Sequence, residues 1–583
     1  MKKTMYIFAL TAALSSSCSK SPEKLPAETF RTVCNPVNIS YRFQPEAIAG
    51  RVNGKIPSYR EGADPTAVMF RDEYYAFVSH SGGYFHSTDL VNWRLIVPNK
   101  VFPLEQYAPT AFVMNGELYL VTSGVGKVFR TSDPKSGEWT VAKEDFKLSH
   151  TDPAVFVDDD GRLYYYAGCS NRTPIWGCEL DPATFEPLTE LAPVIQSDYA
   201  VRGWEVKNDY NIPDDDPVPW IEGAWMNKHG GRYYLQYASP GTELKSYSDA
   251  VFESAGPLGP FTLARHNPFA YKPEGFACGA GHGSTFADRY GNFWHIGTVT
   301  VSQRHSFERR LALFPLFFDG DGCMAAYTGF GDWPMIMPDR RIESPAELFP
   351  GWMLLSYGRK VEVSSTLPGF EAANAVDEDI RTWWSAATGN GDEWIAIDLG
   401  ETDDVYAVQV NFADEGAQIY GRKEGICYQY TVEASVDGRR WETVADRSTE
   451  TADMPHDYIQ LLQPVRARHF RIKNIYYPSG NFSVSGLRIF GRSSSPLPPE
   501  VEGFTAERDA DRRVVHLKWE AAEGAVGYNI RYGTDADKLY GNYTVYGKNE
   551  LTIRSLNAAE TYVFAIDAFN GAGVRESPHG VTQ

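Results

Sequence analysis

One outline recurs five times between residues 60 and 300: a Pro or Gly, a short apolar run, a polar turn and an aromatic-rich strand. The units open at Pro65, Pro109, Pro153, Gly223 and Gly283, at intervals of 44, 44, 70 and 60 residues. Four short strands with their turns need about 40 to 50 residues in one propeller blade, and longer intervals imply insertions. The repeat therefore predicts a five-bladed β-propeller over residues 30–350.

The composition agrees with an all-β chain and excludes two kinds of partner. Aromatic residues make up 14% of the sequence, beside 51 Gly and 36 Pro, which suits many short strands joined by tight turns. The formal net charge is −20. A nucleic-acid binder needs a basic face, and so does a polybasic membrane patch, so neither is expected here.

Equivalent positions on propeller blades lie at similar heights around one axis, so the residues before the five Pro or Gly positions should form a ring. These residues are Asp64, Ala108, Asp152, Glu222 and His282. Three carboxylates that converge on one channel repel each other and lose hydration, which costs stability. A functional reason is therefore favoured over a structural one.

Inverting glycoside hydrolysis uses such a set of acids. One carboxylate removes a proton from water, and a protonated carboxylic acid on the other side of the bond donates to the leaving oxygen. The two groups lie about 6.5 to 9.5 Å apart so that the water fits between them. A third acid beside the donor can raise the donor's pKa.

The propeller segment resembles glycoside hydrolase family 43 over about residues 60–320. The motifs that carry the resemblance are Ala63–Pro65, Ser87–Trp93, Asp152–Pro153 with Asp158–Gly161, Ile221–Gly223 and Gly281–Ser284. The family implies inverting, exo-acting hydrolysis of arabinose-, xylose- or galactose-containing glycans, with a carbohydrate as the partner.

The resemblance also implies roles for individual residues. Asp64 resembles the general base, Asp152 the pKa modulator and Glu222 the general acid. His282 resembles the axial histidine that in many members binds a central calcium ion or a water; the alternative is a hydrogen-bonded core histidine. No cofactor is required, and calcium in the channel would be structural. Tyr107-Ala108-Pro109 departs from the family's usual pattern, so the substrate cannot be copied from its best-known members.

Three tryptophans near the predicted acid are candidate sugar-binding platforms: Trp204, Trp220 and Trp225. Pyranose faces stack on aromatic rings. The alternative is that these side chains belong to the core, where most aromatic residues lie.

Two further modules follow the propeller. Residues 352–492 are similar to the discoidin, or coagulation factor 5/8 C-type, domain, a jelly-roll β-sandwich; the carriers are Ala373–Asp377, Thr382–Trp384, Trp394–Gly400, Ser435–Trp441 and Arg466–Ile472. Such domains bind sugars, phospholipids or proteins, and the alternative is that this one only supports the propeller. After a linker rich in Ser and Pro, residues 500–583 resemble a fibronectin type III β-sandwich with Trp519 and Tyr562 in its core.

The N-terminus has the build of a secretory signal. Two lysines precede a short apolar stretch, and three serines lead into Cys18. The segment 1–18 resembles a bacterial lipoprotein signal, with Cys18 as the lipidation site; an ordinary cleaved signal is the alternative. Residues 19–29 are then expected to be a tether. This predicts an exported protein of the bacterial cell envelope, in the periplasm or on the outer membrane surface, that meets a membrane only through its lipid anchor.

Three functions remain in competition. The first is the inverting exo-glycosidase, and the second is a non-catalytic glycan-binding lipoprotein on the same scaffold, which would not need the acid set. The third is a retaining propeller such as a sialidase, whose arginine cluster and repeated Ser-x-Asp-x-Gly boxes are missing from the propeller segment. The acids favour the first.

Overall fold

The computed structural model describes residues 21–44, 59–103, 105–577 and 580–583. Within these ranges the propeller segment forms five four-stranded antiparallel sheets, each built from four strands that are consecutive in the sequence. Each sheet is one blade. The predicted signal, residues 1–18 with Cys18, lies outside the described residues.

The strands of the blades have the following bounds. Blade one contains Thr66–Phe70, Glu73–Phe77, Tyr84–Ser87 and Arg94–Ile96; blade two contains Thr110–Met114, Glu117–Val121, Val128–Thr131 and Thr140–Lys143. Blade three contains Ala154–Val157, Leu163–Ala167, Ile175–Leu180 and Ala192–Ile195; blade four contains Glu222–His229, Arg232–Ser239, Ser248–Ser254 and Thr262–Leu263. Blade five contains Gly281–Ala287, Phe293–Thr300, Arg309–Phe318 and Met324–Ala326.

The blades close into a ring through their first strands. Each first strand neighbours that of the next blade, and the first strand of blade five contacts the first strand of blade one. A threonine that follows the blade-opening proline helps to join blades: Thr66 donates through Oγ1 to the Pro109 carbonyl at 2.9 Å, and Thr110 donates in the same way to Pro153. The predicted five-bladed propeller is confirmed.

Aromatic and aliphatic side chains fill the wedges between blades, which explains the aromatic-rich strands. Phe112 and Tyr119 of blade two pack with Leu163 and Tyr165 of blade three in one buried cluster. Outside the blades, the strand Thr32–Val33 pairs with Met335–Ile336, so both ends of the propeller segment meet. Short 3-10 helices cover Pro134–Ser136, Gly203–Glu205 and Pro345–Leu348.

The second domain is a β-sandwich around one large apolar cluster, as predicted for a discoidin-like module. Its strands are Met353–Leu354, Lys360–Val363, Trp384–Ser385, Trp394–Phe412, Gln429–Ser435, Glu442–Asp446, His456–Tyr476 and Ser483–Arg492, with a 3-10 helix at Ala372–Ala375. They are joined by the N-terminal strand Glu23–Lys24, which pairs with Val465 and Arg466. Residues 23–25 of the predicted tether are thus bound to the second domain by backbone hydrogen bonds and do not form a free tether.

The third domain packs two sheets face to face. One sheet contains Thr505–Arg508, Val515–Lys518 and Glu550–Ile553; the other contains Gly527–Gly533, Gly541–Tyr546, Val563–Asn570, Gly573–Arg575 and Val581–Thr582. Trp519 and Tyr562 are buried in the core between them, as predicted. The identification as a fibronectin type III domain stays a prediction. In the described part of the chain, no helix is long and apolar enough to cross a membrane.

Candidate active site

The three predicted acids and the predicted histidine meet at one place on the propeller. The His282 Nδ1 atom lies 3.3 Å from an oxygen of Asp64 and 3.8 Å from an oxygen of Asp152. An oxygen of Asp152, an oxygen of Glu222 and the Cys169 sulfur lie within 4.8 Å of one another. The inner ends of blades one, three, four and five thus bring these side chains together, as the repeat predicted.

The backbone shows that the predicted ring is displaced by one residue in blade four. Equivalent positions share a left-handed backbone, with φ between 45° and 61°: Asp64, Ala108, Asp152, Gly223 and His282. The ring residue of blade four is therefore Gly223, and Glu222 lies one residue before it. Aligning the blades on their Pro and Gly residues was wrong here, because this Gly occupies the ring position itself.

Gly223 suits the left-handed backbone at this position, and its lack of a side chain also leaves room for His282. A Cβ atom built on it would lie 2.7 Å from the imidazole ring of His282. Any side chain here would push His282 away from the carboxylates. The glycine thus gives His282 its place beside Asp64 and Asp152.

Asp64 is buried and held in its ionised form. It is 5% exposed, its Oδ2 accepts from Ser79 Oγ at 2.7 Å, and its Oδ1 accepts from Arg309 at 3.0 Å. Burial raises the pKa of Asp64, but the positive charges of Arg309 and His282 and the Ser79 hydrogen bond outweigh it and bring the pKa below its usual value. A buried carboxylate that stays ionised and keeps some access to solvent can act as a base.

Arg309 links Asp64 to two further groups that sequence reasoning missed. Its guanidinium also donates to Thr242 Oγ1 at 2.9 Å and pairs closely with Glu61. Burial raises the pKa of Glu61 to about 7, against the lowering effect of Arg309. One sequence signal was present: Arg309 and Arg310 open an otherwise apolar strand.

Asp152, unlike Asp64, has a raised pKa. Its backbone N–H donates to Ser123 Oγ at 2.9 Å, and its carboxylate is 5% exposed. Burial raises its pKa to about 7; the charges of Glu222 and Asp64 raise it as well, and His282 opposes them. Asp152 therefore keeps its proton up to about pH 7, and its carboxyl group lies within 4.8 Å of that of Glu222.

Glu222 is fixed by two donors, both missed from the sequence. Tyr247 donates a short hydrogen bond to Oε1, and the Cys169 thiol donates to Oε2 at 3.0 Å. Burial and the charges of Glu222 and Asp152 raise the pKa of Cys169, so the thiol keeps its proton. Glu222 is 8% exposed, so its carboxyl group is held firmly and still reaches the surface.

His282 faces carboxylates, and its pKa is raised by Asp64, Asp152 and Glu222 against the effect of burial. The group of metal-ligand side chains found among the described residues is Asp152, Cys169 and Glu222. This set does not fit a resident calcium ion, because calcium prefers oxygen ligands and Cys169 offers sulfur. The predicted contact of His282 with calcium or water stays a prediction.

The three predicted tryptophan platforms lie in different environments. Trp204 is 0% exposed, and its indole N–H donates to Tyr237 at 3.3 Å, so it has no face for a sugar and that prediction is wrong. Trp225 is half-buried, and its indole N–H donates to the Thr285 carbonyl of the next blade at 3.1 Å. Trp220 is 37% exposed and lies two residues before Glu222. It is the candidate that can stack on a sugar.

A second aromatic group lies beside the base. Tyr107 precedes the ring residue of blade two, and its ring lies 3.9 Å from His80 and 5.6 Å from Phe307, centroid to centroid. Tyr107 and Phe307 are both half-buried, and the Arg309 guanidinium lies over Phe307 at 4.8 Å. These rings give the site a second apolar wall, which the sequence reasoning did not select.

Two protein families match separate parts of the chain. Residues 58–324 match the model of glycosyl hydrolases family 43, and residues 360–485 match the F5/8 type C domain. A beta-xylosidase of Xylanibacter ruminicola is 33% identical over 132 residues, which are 19% of this chain and 39% of that protein. An arabinoxylan arabinofuranohydrolase of Bacillus subtilis (strain 168) is 29% identical over 266 residues, which are 41% of this chain and 47% of that protein.

The chain spans less than half the length of these curated relatives. Among solved structures, a thermostable family-43 glycoside hydrolase superposes with a TM-score of 0.41 at 21% identity, over 50% of this chain and 99% of that one. The site geometry and the family matches concern the same part of the chain. The chain therefore contains a glycosyl hydrolase family 43 domain, at residues 58–324, followed by an F5/8 type C domain at residues 360–485.

Proposed function

We propose that the protein is an inverting, exo-acting glycoside hydrolase that removes arabinose, xylose or galactose units from polysaccharide or oligosaccharide side chains. The observation that carries the proposal is the convergence of Asp64, Asp152 and Glu222 on one site around His282. The surroundings of Asp64 lower its pKa, whereas those of Asp152 raise its pKa to about 7 beside Glu222. Acid–base catalysis needs one ionised and one protonated group on opposite sides of the scissile bond.

The reaction follows from these states. Asp64 accepts a proton from water, the water oxygen bonds to the anomeric carbon, and the bond from this carbon to the leaving oxygen breaks. Glu222 gives its proton to the leaving oxygen, and Asp152, whose pKa is raised to about 7, lies beside it. The attack from the face opposite to the leaving group inverts the anomeric centre.

Two observations support the substrate class. The relatives named above are a beta-xylosidase and an arabinoxylan arabinofuranohydrolase, which favours pentose units over galactose. The three acids are each less than one-tenth exposed. Such burial suits a pocket that accepts the end of a chain better than an open groove along it.

Export and attachment to the cell envelope through Cys18 are proposed from the sequence alone. Labelling with a radioactive fatty acid tests this: the full chain should carry the label, and the Cys18→Ala variant should not. An unlabelled full chain in a bacterial host would contradict the lipid anchor.

The test of the activity is a screen of the purified protein against nitrophenyl arabinofuranosides, xylosides and galactosides. Proton NMR during the first turnovers should show the product with the anomeric configuration opposite to that of the substrate. Glu222→Gln is the matched control for contaminating enzymes. A product with retained configuration would refute the inverting mechanism. Equal rates for the wild type and Glu222→Gln would refute the assigned site.

A further inference from the structure

The F5/8 type C domain contacts the propeller beside the candidate general base. Four side chains, which we call the base support, either bond Asp64 directly or bond its partner Arg309. They are Glu61, Ser79, Thr242 and Arg309 itself. Next to each of them in the sequence stands a residue that the F5/8 type C domain holds.

The first link runs through Arg422. Its guanidinium donates to the His80 carbonyl at 2.5 Å and pairs with Glu105 at 2.5 Å. Ser79, the residue before His80, donates to Asp64 and also accepts the backbone N–H of Ala108 at 2.8 Å. Arg422 therefore fixes the loop from which Ser79 reaches the base.

This loop is shaped for the arginine. Gly82 has a left-handed backbone with φ of 69°, and a Cβ atom built on it would overlap the Arg422 guanidinium. A side chain at this position would thus exclude Arg422 from the loop. The side chain of Arg422 is 13% exposed, so the contact is largely shielded from water.

The second link runs through Arg381. It donates to the Glu243 carbonyl at 3.0 Å and pairs with Asp209 at 2.8 Å. Thr242, the residue before Glu243, accepts from Arg309. Arg381 therefore fixes the loop that supports the arginine of the base.

The same loop also reaches the acid. Lys245 pairs with Asp379 of the F5/8 type C domain at 2.8 Å, and Tyr247, two residues later, donates to Glu222. Contacts from one domain thus fix a segment that supports Asp64 at one end and Glu222 at the other.

Two buried links complete the pattern. Arg60 is 1% exposed and pairs with Asp414 at 2.6 Å, beside Glu61 in the sequence. Arg310 donates to His456 at 2.7 Å, beside Arg309. Adjacent residues of extended chain point to opposite sides, so one neighbour faces the active site and the other faces the second domain.

We propose that the F5/8 type C domain positions the general base, with Arg422 and Arg381 as positioning residues that act through the loops of Ser79 and Thr242. The proposal rests on the proposed hydrolase function. In this arrangement the domain is part of the catalytic unit. Displacements of about 1 Å at a catalytic group can lower a rate about a hundredfold, so moderate loosening of these loops has a measurable effect.

The experiment compares Arg422→Gln and Arg381→Gln with Arg439→Gln in the full-length protein. Arg439 is an exposed arginine of the same domain, in a turn that contributes nothing to the base support. We expect kcat/KM to fall roughly tenfold in both test variants, mainly through kcat. The control should match the wild type.

The pH profile separates positioning from mere stabilisation. The charge of Arg309 and the Ser79 hydrogen bond lower the pKa of Asp64, so loosening either one raises it. Asp64 then takes up its proton at a higher pH, and the acidic limb of kcat/KM moves upward by at least half a unit. If the variants melt at lower temperature but keep the wild-type kcat and acidic limb, the domain only adds stability and the proposal is wrong.

Two further measurements test the positioning proposal if a glutamine variant fails to fold or if no substrate is found. If a glutamine variant fails to fold, Arg422→Lys and Arg381→Lys keep the charge and lose the paired donors, and the same shift is expected of them. Amide hydrogen exchange of segments 79–83 and 241–247 should increase in the test variants and not in the control. Unchanged exchange overturns the positioning proposal even if no substrate is found, whereas a wild type inactive on every glycoside refutes the hydrolase function instead.

Discussion

Replacement of Asp152 by Asn tests the coupled acid pair directly. The carboxylate oxygens of Asp152 and Glu222 lie within 4.8 Å. At that distance two unit charges repel by about 3.5 kcal/mol at an effective dielectric constant near 20, which equals about 2.5 pKa units. His282, 3.8 Å from Asp152, offsets part of this repulsion. We therefore expect Asp152→Asn to change the pH dependence by about 1 to 2 units.

The direction of the expected change in the pH profile follows from the loss of the Asp152 carboxyl group. In the wild type Asp152 keeps its proton until the pH reaches about 7, its raised pKa. Asn at position 152 cannot hold this proton, so the site lacks it up to about pH 7. The alkaline limb of the kcat/KM profile should move to lower pH, and the acidic limb, which reports the base, should stay in place. The bell-shaped profile of kcat/KM against pH therefore becomes narrower.

The assay is kcat/KM from pH 4 to 9 on the best nitrophenyl glycoside. The matched control is Asp159→Asn, the same change on the same blade, at a side chain that is 85% exposed. The control profile should overlay that of the wild type. An alkaline limb that stays in place in Asp152→Asn would show that the two carboxyl groups do not share a proton.

Three further predictions concern the same site. Asp64→Asn and Glu222→Gln should each lower kcat by at least about a hundredfold while circular dichroism and melting temperature stay close to the wild type; residual activity within tenfold would remove that residue from its role. Cys169→Ala should lower kcat/KM by about tenfold, because it removes one of the two donors that fix the Glu222 carboxyl group; an unchanged kcat/KM would mean that this hydrogen bond does not position the acid. Trp220→Ala should raise KM without loss of stability, whereas Trp204→Ala should cost about 3 to 5 kcal/mol of unfolding free energy; an unchanged KM in the first variant would leave the sugar platform unassigned.

Much of the architecture was predictable because the repeat has a strong physical basis. Each blade needs apolar residues on both faces of its sheet and a turn wherever the chain reverses direction. The same sequence pattern therefore occurs in all five blades. The Asn115-Gly116 turn of blade two, with φ of 53° and 76°, is such a reversal. The contacts between domains leave no such pattern. Arg381 and Arg422 look like ordinary surface arginines in the sequence and are positioned only by the packing of two folded domains.

The sequence predicted the acidic residues of the site, but it did not predict the residues that hydrogen-bond to them. Asp64, Asp152 and Glu222 stand at recurring positions, whereas Arg309, Tyr247 and Cys169 come from other strands and loops with no common spacing. Trp204 failed for a related reason. It is near Glu222 in the sequence, but the 3-10 turn at Gly203–Glu205 points its ring into the core.

The displacement in blade four gives Glu222 partners that the ring acids do not have. Asp64 and Asp152 occupy the ring position itself, with a left-handed backbone. Glu222 lies one residue earlier and has a longer side chain, so its carboxyl group reaches Cys169 and Tyr247 instead of Arg309. Gly223, left at the ring position, makes room for His282. His282 therefore lies beside both ring carboxylates, Asp64 and Asp152. The acid of blade four, one position earlier, takes Cys169 and Tyr247 as partners, so blades of one repeat supply acids with different surroundings.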